Sequence, residues 1–222
     1  ILSKLDEKEL TPSPPIDRRS LIRRVTYDML GLPPTPDQVR SFVEDRSPHA
    51  YRRLVDRLLA SPHYGERWGR FWLDLARYCD LAESWMKSKG KAYHYRDWVV
   101  DALNRDLPYD QFVMHQLAAD LLPNAKPEDN AALGFLGRSP SYWKELKLAP
   151  GMIKTIVAEE WEERVHTVSG TFLGLTVACA RCHDHKFDPI TQKDYYALAG
   201  VISNIRLQDR KLNDGKIVTG IA

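Results

Sequence analysis

Cysteine is scarce in this chain: Cys79, Cys179 and Cys182 are the only three among 222 residues. That count excludes the dense disulfide framework of a small secreted scaffold. Long apolar runs are missing too. With no stretch of eighteen, the sequence holds no candidate transmembrane helix. Charge of one sign is not in excess, since 32 basic and 30 acidic residues give a formal net charge of +2. No basic run is long enough to track a phosphate backbone, which argues against a nucleic-acid partner. The densest basic cluster, Arg18, Arg19, Arg23 and Arg24, is interleaved with Leu21, Ile22 and Val25 and reads as the solvated face of a helix. Period-two alternation is confined to residues 216–221, too short to make a sheet alone. A glycine-rich phosphate loop and a nucleophilic-serine elbow are also lacking.

Helical periodicity fills most of the remainder, from about residue 18 to 205. Leu21, Val25, Met29 and Leu30 form an apolar stripe closed by Gly31 and Pro33-Pro34. Thr35-Pro36 reads as an N-cap followed by proline at the first helical position. Ser47-Pro48 repeats the device ahead of Tyr51, Leu54, Val55, Leu58 and Leu59. Further helices are predicted over 65–81, 95–104, 109–122, 149–172 and 191–205, with loops at 87–92 and 137–148. Residues 1–16, with three prolines between Leu10 and Ile16, read as an arm or linker. Residues 17–205 read as one helical domain and 206–222 as an extension leading towards a following domain. The fold class expected is mainly α, an irregular multi-helix domain.

Within this frame Cys179-Ala180-Arg181-Cys182-His183 stands out. Cys-x-x-Cys-His is the spacing at which one short turn holds a haem covalently: two thiols add across the two vinyl groups of the porphyrin, and the adjoining imidazole reaches the iron. Other chemistries use parts of this pattern. A structural zinc site needs four converging ligands, normally as two close pairs, and no second pair lies at the required distance. A thioredoxin-like dithiol opens a helix after a buried strand, and no such strand precedes Cys179. A disulfide or two buried thiols remain open readings. The motif therefore predicts one covalent haem c, with Cys179 and Cys182 as attachment points and His183 as proximal iron ligand.

The surroundings carry a resemblance. Phe172-Leu173-Gly174-Leu175-Thr176-Val177-Ala178 ahead of the motif, then Asp184-His185-Lys186-Phe187-Asp188-Pro189-Ile190 and Lys193-Asp194-Tyr195-Tyr196 after it, closely resemble the planctomycete-specific cytochrome domain family, PSCyt type. The similarity extends upstream through Gly31-Leu32-Pro33-Pro34-Thr35-Pro36, Tyr64-Gly65-Glu66-Arg67-Trp68, Trp72-Leu73-Asp74-Leu75-Ala76-Arg77-Tyr78, Tyr95-Arg96-Asp97-Trp98 and Pro108-Tyr109-Asp110-Gln111-Phe112, covering roughly residues 17–205. It implies a haem-c domain from large exported proteins, often joined to another cytochrome module and a second planctomycete-specific domain. One departure matters: Phe71 stands where the resemblance leads one to expect histidine before Trp72.

The sixth iron position decides between electron transfer and ligand chemistry. His166, Met114 and His115 are the candidates, with His63, His94 and the Cys79 thiol behind them. His166 lies thirteen residues before Cys179, about 20 Å away along a straight helix, and reaches the iron only if the chain turns at Gly170 or Gly174. None of these is forced onto the iron, so an unusual sixth ligand or a vacant position is expected. His185, Arg77, Trp72 and Tyr78 are candidates to surround the haem. His185 offers a propionate or backbone partner, or simply turn structure; Arg67, Arg77 and Lys186 offer propionate partners or ordinary salt bridges; Arg181 reads as facing solvent. Trp68, Trp72 and Tyr78 read as core, or as a dry aromatic pocket. Glu159, Glu160, Glu162 and Glu163 around Trp161 read as a solvated face rather than a catalytic carboxylate pair.

Electron transfer with a partner protein, or with another domain of the same polypeptide, is the function expected. A peroxidase-like or oxidative haem enzyme, one acting on polysaccharide included, and a haem-stabilised scaffold module are the alternatives. The sequence opens on Ile1-Leu2-Ser3, with neither Met nor a charged segment leading into an apolar one. This predicts a processed or excised segment. Covalent haem attachment further predicts export, to the periplasm or the cell surface, behind a leader or upstream domain.

Overall fold

Capping chemistry sets most of the helix boundaries. The computed structural model describes residues 1–79, 91–136 and 149–221, and the chain divides into two units, Ile1–Arg67 and Trp68–Ala222. The first unit begins with a short exposed helix α1 (Leu2–Glu7) and the extended proline-rich arm. Helix α2 (Arg18–Leu30) starts where the Asp17 carboxylate accepts the Ser20 amide at 3.0 Å, and ends at Gly31, whose φ of 69° is the left-handed turn that glycine adopts without strain. Helix α3 (Pro36–Glu44) carries the predicted Thr35 cap as a full capping box with Gln38. Helix α4 (Ala50–Leu59) begins two residues later than Ser47-Pro48 implied. There the Ser47 hydroxyl accepts the His49 amide at 3.2 Å and closes a turn instead of a cap.

Ile22, Phe42, Ala50, Leu54 and Leu58 form the core of this unit. Arg18 departs from the solvated face predicted for its cluster. Its guanidinium lies 4.3 Å from the Phe42 ring centroid and donates to the carbonyls of Phe42 and Asp45, tying α2 to the end of α3. Arg19, Arg23 and Arg24 are exposed, as expected.

Helix α5 spans Pro62–Leu75 rather than 65–81. Arg77 ends it: with φ at 53° it takes the position glycine usually fills, and the Tyr78 amide reaches back to the Leu73 carbonyl at 2.9 Å. The second unit continues with α6 (Tyr93–Asn104), α7 (Tyr109–Ala118), a 3-10 turn at Ala119–Leu121 and a longer 3-10 segment at Pro127–Phe135. Helix α8 (Pro150–Val168) runs into a π turn (Ser169–Leu173), followed by a 3-10 turn (Val177–Arg181) and α9 (Gln192–Ile202), capped by Thr191 with Asp194. Of the expected loops, residues 87–90 and all of 137–148 lie outside the described residues.

The fold is mainly α, and among the described residues its one sheet is a hairpin. The strand-like 216–221 is strand β2 (Ile217–Ile221), which finds its partner in β1 (Leu207–Lys211), antiparallel, with Leu207 opposite Ile221 and Lys211 opposite Ile217. The hairpin packs within the second unit. Asp120 accepts from Arg210 at 2.7 Å, the Lys91 amide donates to the Ile217 carbonyl at 2.9 Å, and Val218 is buried.

Two apolar clusters fill this unit. One gathers Tyr95, Trp98, Val99 and Phe112 around Ala131, Ala132, Leu133 and Phe135. At its centre Gln116 accepts from Trp72 Nε1 and from the Tyr95 hydroxyl, both at 2.7 Å. The other, Val165, Val177, Ala180, Tyr195, Ala199 and Ile202, joins α8, α9 and the Val177–Arg181 turn.

Candidate functional site

The Cys-x-x-Cys-His segment lies on the Val177–Arg181 turn and the residues just after it. Val177 and Ala180 point into the second cluster, while Cys179, Cys182 and His183 face outward. A period of three explains this, because a 3-10 turn eclipses positions i and i+3. Residues 177 and 180 are buried together, and 179 and 182 share the open side. Both cysteines are free thiols.

His183 Nδ1 lies 2.7 Å from the Asp184 carbonyl oxygen. A carbonyl only accepts, so Nδ1 carries the proton and Nε2 keeps its lone pair. This is the tautomer, fixed through the other ring nitrogen, that an imidazole ligand needs. Among the described residues no three Cys, His, Asp or Glu side chains converge on a point that would hold a metal ion. The two thiols and the imidazole are thus presented side by side rather than as a closed chelate.

The loop that follows is tied by His185. Its Nδ1 accepts the amides of Asp188 at 2.9 Å and Phe187 at 3.3 Å, which places the proton on Nε2, and Nε2 donates to the Thr176 hydroxyl at 2.9 Å. Its backbone amide meets the Ile190 carbonyl at 2.8 Å. Of the two partners predicted for His185, the structure shows the backbone. The loop is then fastened to α9: Asp184 accepts the Gln192 amide at 2.8 Å, and the Gln192 side chain donates to the Arg181 carbonyl at 2.9 Å. Phe187 is 82% exposed, and Leu173, the last residue of the π turn, is also exposed.

The acidic run on α8 is not the solvated face its composition suggested. Glu162 pairs with Arg181, Glu163 with Arg77, and Glu160 with the buried Arg164 at 2.5 Å; Glu159 alone is open to solvent. Two arginines from outside the helix, Arg77 and Arg181, therefore use it as a strut, while Arg164 pairs within it. Arg181 is accordingly a partner of α8 and not a free surface group, and Arg77 makes an interhelical salt bridge. Burial lowers the Arg164 pKa, an effect the Glu160 carboxylate opposes.

The remaining candidates separate by element. Trp72 and Tyr78 belong to the first cluster: Trp72 lies 4.7 Å from Phe112, and Tyr78 lies 6.4 Å from Tyr95. Trp68 lies against Phe71 at 5.7 Å, so the three aromatics do not close around one site. Met114 and His115 stand on α7, where Met114 is exposed and His115 Nδ1 donates to the Gln111 carbonyl at 2.8 Å. His166 stands on α8, whose Val165 packs with Val177 and Ala180, and the chain does turn back at Gly174, with φ at 65°. His63 pairs with Glu66 at 2.7 Å. Burial, with Lys216 adding to it, pushes the His94 pKa down, and among the described residues its Nε2 has no hydrogen-bond partner.

Sequence reasoning missed one feature of this region. A groove of about 260 Å³ runs between α8 and α9 and reaches Arg181 on the Val177–Arg181 turn. Residues 158–161 and 195–203 build it, far apart in sequence, and no local spacing announces it.

A family model described as PSCyt2, Protein of unknown function (DUF1549), matches residues 1–207. No curated protein and no solved structure matches the chain.

Proposed function

The chain belongs to the PSCyt2 family, a planctomycete-type domain family, and from that membership together with the attachment turn we propose that it carries one covalent haem c and transfers electrons in a larger exported protein. One observation carries the reading: two free thiols share the open side of a 3-10 turn, beside an imidazole whose Nδ1 proton is already committed to the Asp184 carbonyl. This donor set fits a haem held by two thioethers and one axial nitrogen better than it fits a chelated ion, for which the ligands must converge.

Cys179 and Cys182 would each add a sulfur to a vinyl carbon next to the ring, with the thiol hydrogen passing to the terminal vinyl carbon, so attachment consumes no oxidant. His183 Nε2 would bind the iron. Asp184 holds the imidazole in its tautomer, and the Asp184, Arg181 and Gln192 contacts hold the loop on α9. Once bound, the haem supplies a one-electron iron couple, whose potential the axial ligands and nearby dipoles set. Electron transfer is favoured over iron-centred catalysis because three of the four glutamates around Trp161 are engaged with arginines, and the described residues assemble no second reactive constellation.

The test is expression with a haem-attachment system. The expected product has the mass of the chain plus one haem and a haem spectrum that survives acid-acetone extraction. Cys179→Ala and Cys182→Ala each reduce attachment, and the double variant abolishes it. A colourless wild-type chain of bare mass under the same conditions overturns the reading. On the loaded protein, an iron indifferent to CO, cyanide and peroxide supports electron transfer, whereas ready ligand binding supports the catalytic alternative.

A further inference from the structure

The groove between α8 and α9 has the character of a small-molecule site. Trp161, Tyr195 and Tyr196 supply its aromatic walls, and the two tyrosine rings meet edge to face with centroids 5.1 Å apart. Its floor is open because the residues there are small. Ala158 and Ala199 line it, and a Cβ built on Gly200 meets nothing within 4 Å.

The polar groups at the two ends are already engaged. Arg181 is neutralised by Glu162, and the Ser203 hydroxyl donates to the Gly200 carbonyl at 2.7 Å. No hydrogen bond engages the Tyr195 hydroxyl among the described residues. Burial of Tyr195 raises its pKa, so it keeps its proton as a donor.

These facts select a ligand class. A charged ligand finds no unpaired countercharge in the groove. A sugar, with a hydroxyl on nearly every carbon, would leave most of them unpaired against apolar walls, at a cost for each. A flat ring with one or two oxygens loses little by desolvation and gains the stacking that aromatic walls offer. The volume of about 260 Å³, somewhat below the range of drug-sized sites, suits one or two fused rings rather than a chain of them.

We propose that this groove binds a small uncharged oxygenated aromatic, of phenol or quinone chemistry, with its ring against Trp161 and Tyr196 and its oxygen on the Tyr195 hydroxyl. This goes beyond the haem reading and does not rest on it, because every residue invoked is present whether or not a haem is attached. The site nonetheless abuts the attachment turn through Arg181, which lies between the two cysteines. A ligand seated there is placed beside the region proposed to hold the redox group.

The experiment is calorimetric titration of the full chain with 2-naphthol, and with methyl β-glucoside as the polyhydroxylated control. Binding of 2-naphthol with a Kd of about 1 mM or tighter is expected, with none detectable for the glucoside. Gly200→Leu places a side chain in the open floor, favours the helix, and should weaken 2-naphthol binding about tenfold or more. Tyr195→Phe is isosteric apart from the hydroxyl, keeps the fold, and should weaken binding severalfold, which protects the test if the leucine variant misfolds. Undetectable 2-naphthol binding, affinity unchanged in both variants, or glucoside binding equal to that of 2-naphthol would each overturn the proposal.

Discussion

His185 shows how much structural work one residue does beside the proposed iron ligand. Its ring accepts two backbone amides and donates to Thr176, which closes the loop from 176 to 190 with a single neutral side chain. The Asp188 carboxylate is 3.4 Å from Nδ1, but that nitrogen faces the amides, so the contact is not a charge pair. His185→Phe would leave both amides without an acceptor and is expected to cost about 2 kcal/mol, whereas Thr176→Val removes one neutral hydrogen bond and costs about 1 kcal/mol. Urea denaturation of the two variants checks the order, and a larger loss in Thr176→Val would reject this account of the loop. That Cys179, Cys182 and His183 stand on one exposed segment was legible because they are near neighbours in the sequence. The role of His185 was legible only in outline, since the identity of its partners depends on the path of the backbone. The arginine pairs of α8 were hidden for a related reason: Arg77 and Arg181 lie far from Glu163 and Glu162 in sequence, so local charge patterning showed only the acidic half.

At the scale of elements, boundaries marked by side-chain caps were readable and those made by backbone conformation were not. Thr35-Pro36 announced α3 correctly. Thr191, placed at the head of the last predicted helix, is the cap of α9, which begins at Gln192. The end of α5 escaped because Arg77, not glycine, takes the left-handed conformation there. The segment Pro127–Phe135 escaped altogether, since a 3-10 path has a period near three and shows no 3.6-residue stripe. Yet it supplies five buried positions in a row, Ala131 to Phe135. Gly134 is the tightest of them: a Cβ there would lie 2.6 Å from Tyr95 Cβ. Gly134→Ala is therefore expected to destabilise by about 1–3 kcal/mol, through overpacking against a ring that cannot retreat. Gly151→Ala, at the start of α8 with nothing within 4 Å of the added carbon, should be neutral or stabilising by up to about 1 kcal/mol. Chemical denaturation of the pair distinguishes a packed 3-10 segment from a loose one, and equal effects would refute the close approach to Tyr95.

Across the whole molecule, all six tryptophans lie in the second unit and none in residues 1–67, so tryptophan fluorescence reads the second unit selectively. That unit also contains His94, which is buried, tilted against the Tyr93 ring with centroids 4.3 Å apart, and placed near Lys216, Asp214 and Asp97. Burial first, and Lys216 second, lower its pKa below the ordinary 6.5, while the two aspartates oppose them. Between 6.5 and that lowered value the unfolded chain binds the proton and the folded one does not, so stability rises with pH there. The contribution is fully present above about 6.5 and is lost as pH falls through the folded value. Asp17 and Asp45 in the first unit act lower on the scale, because backbone amides, with Arg53 also on Asp45, hold their carboxylates below 3.8. Their stabilising effect is complete above that value and fades only as pH falls further. The urea midpoint followed by tryptophan fluorescence should therefore drop between pH 7 and pH 5. His94→Phe keeps a ring against Tyr93, removes the unpartnered Nε2, and should flatten that slope while raising stability at pH 5 by about 1 kcal/mol or more. A slope of wild-type steepness in His94→Phe would show that the acid sensitivity of the second unit lies in other groups.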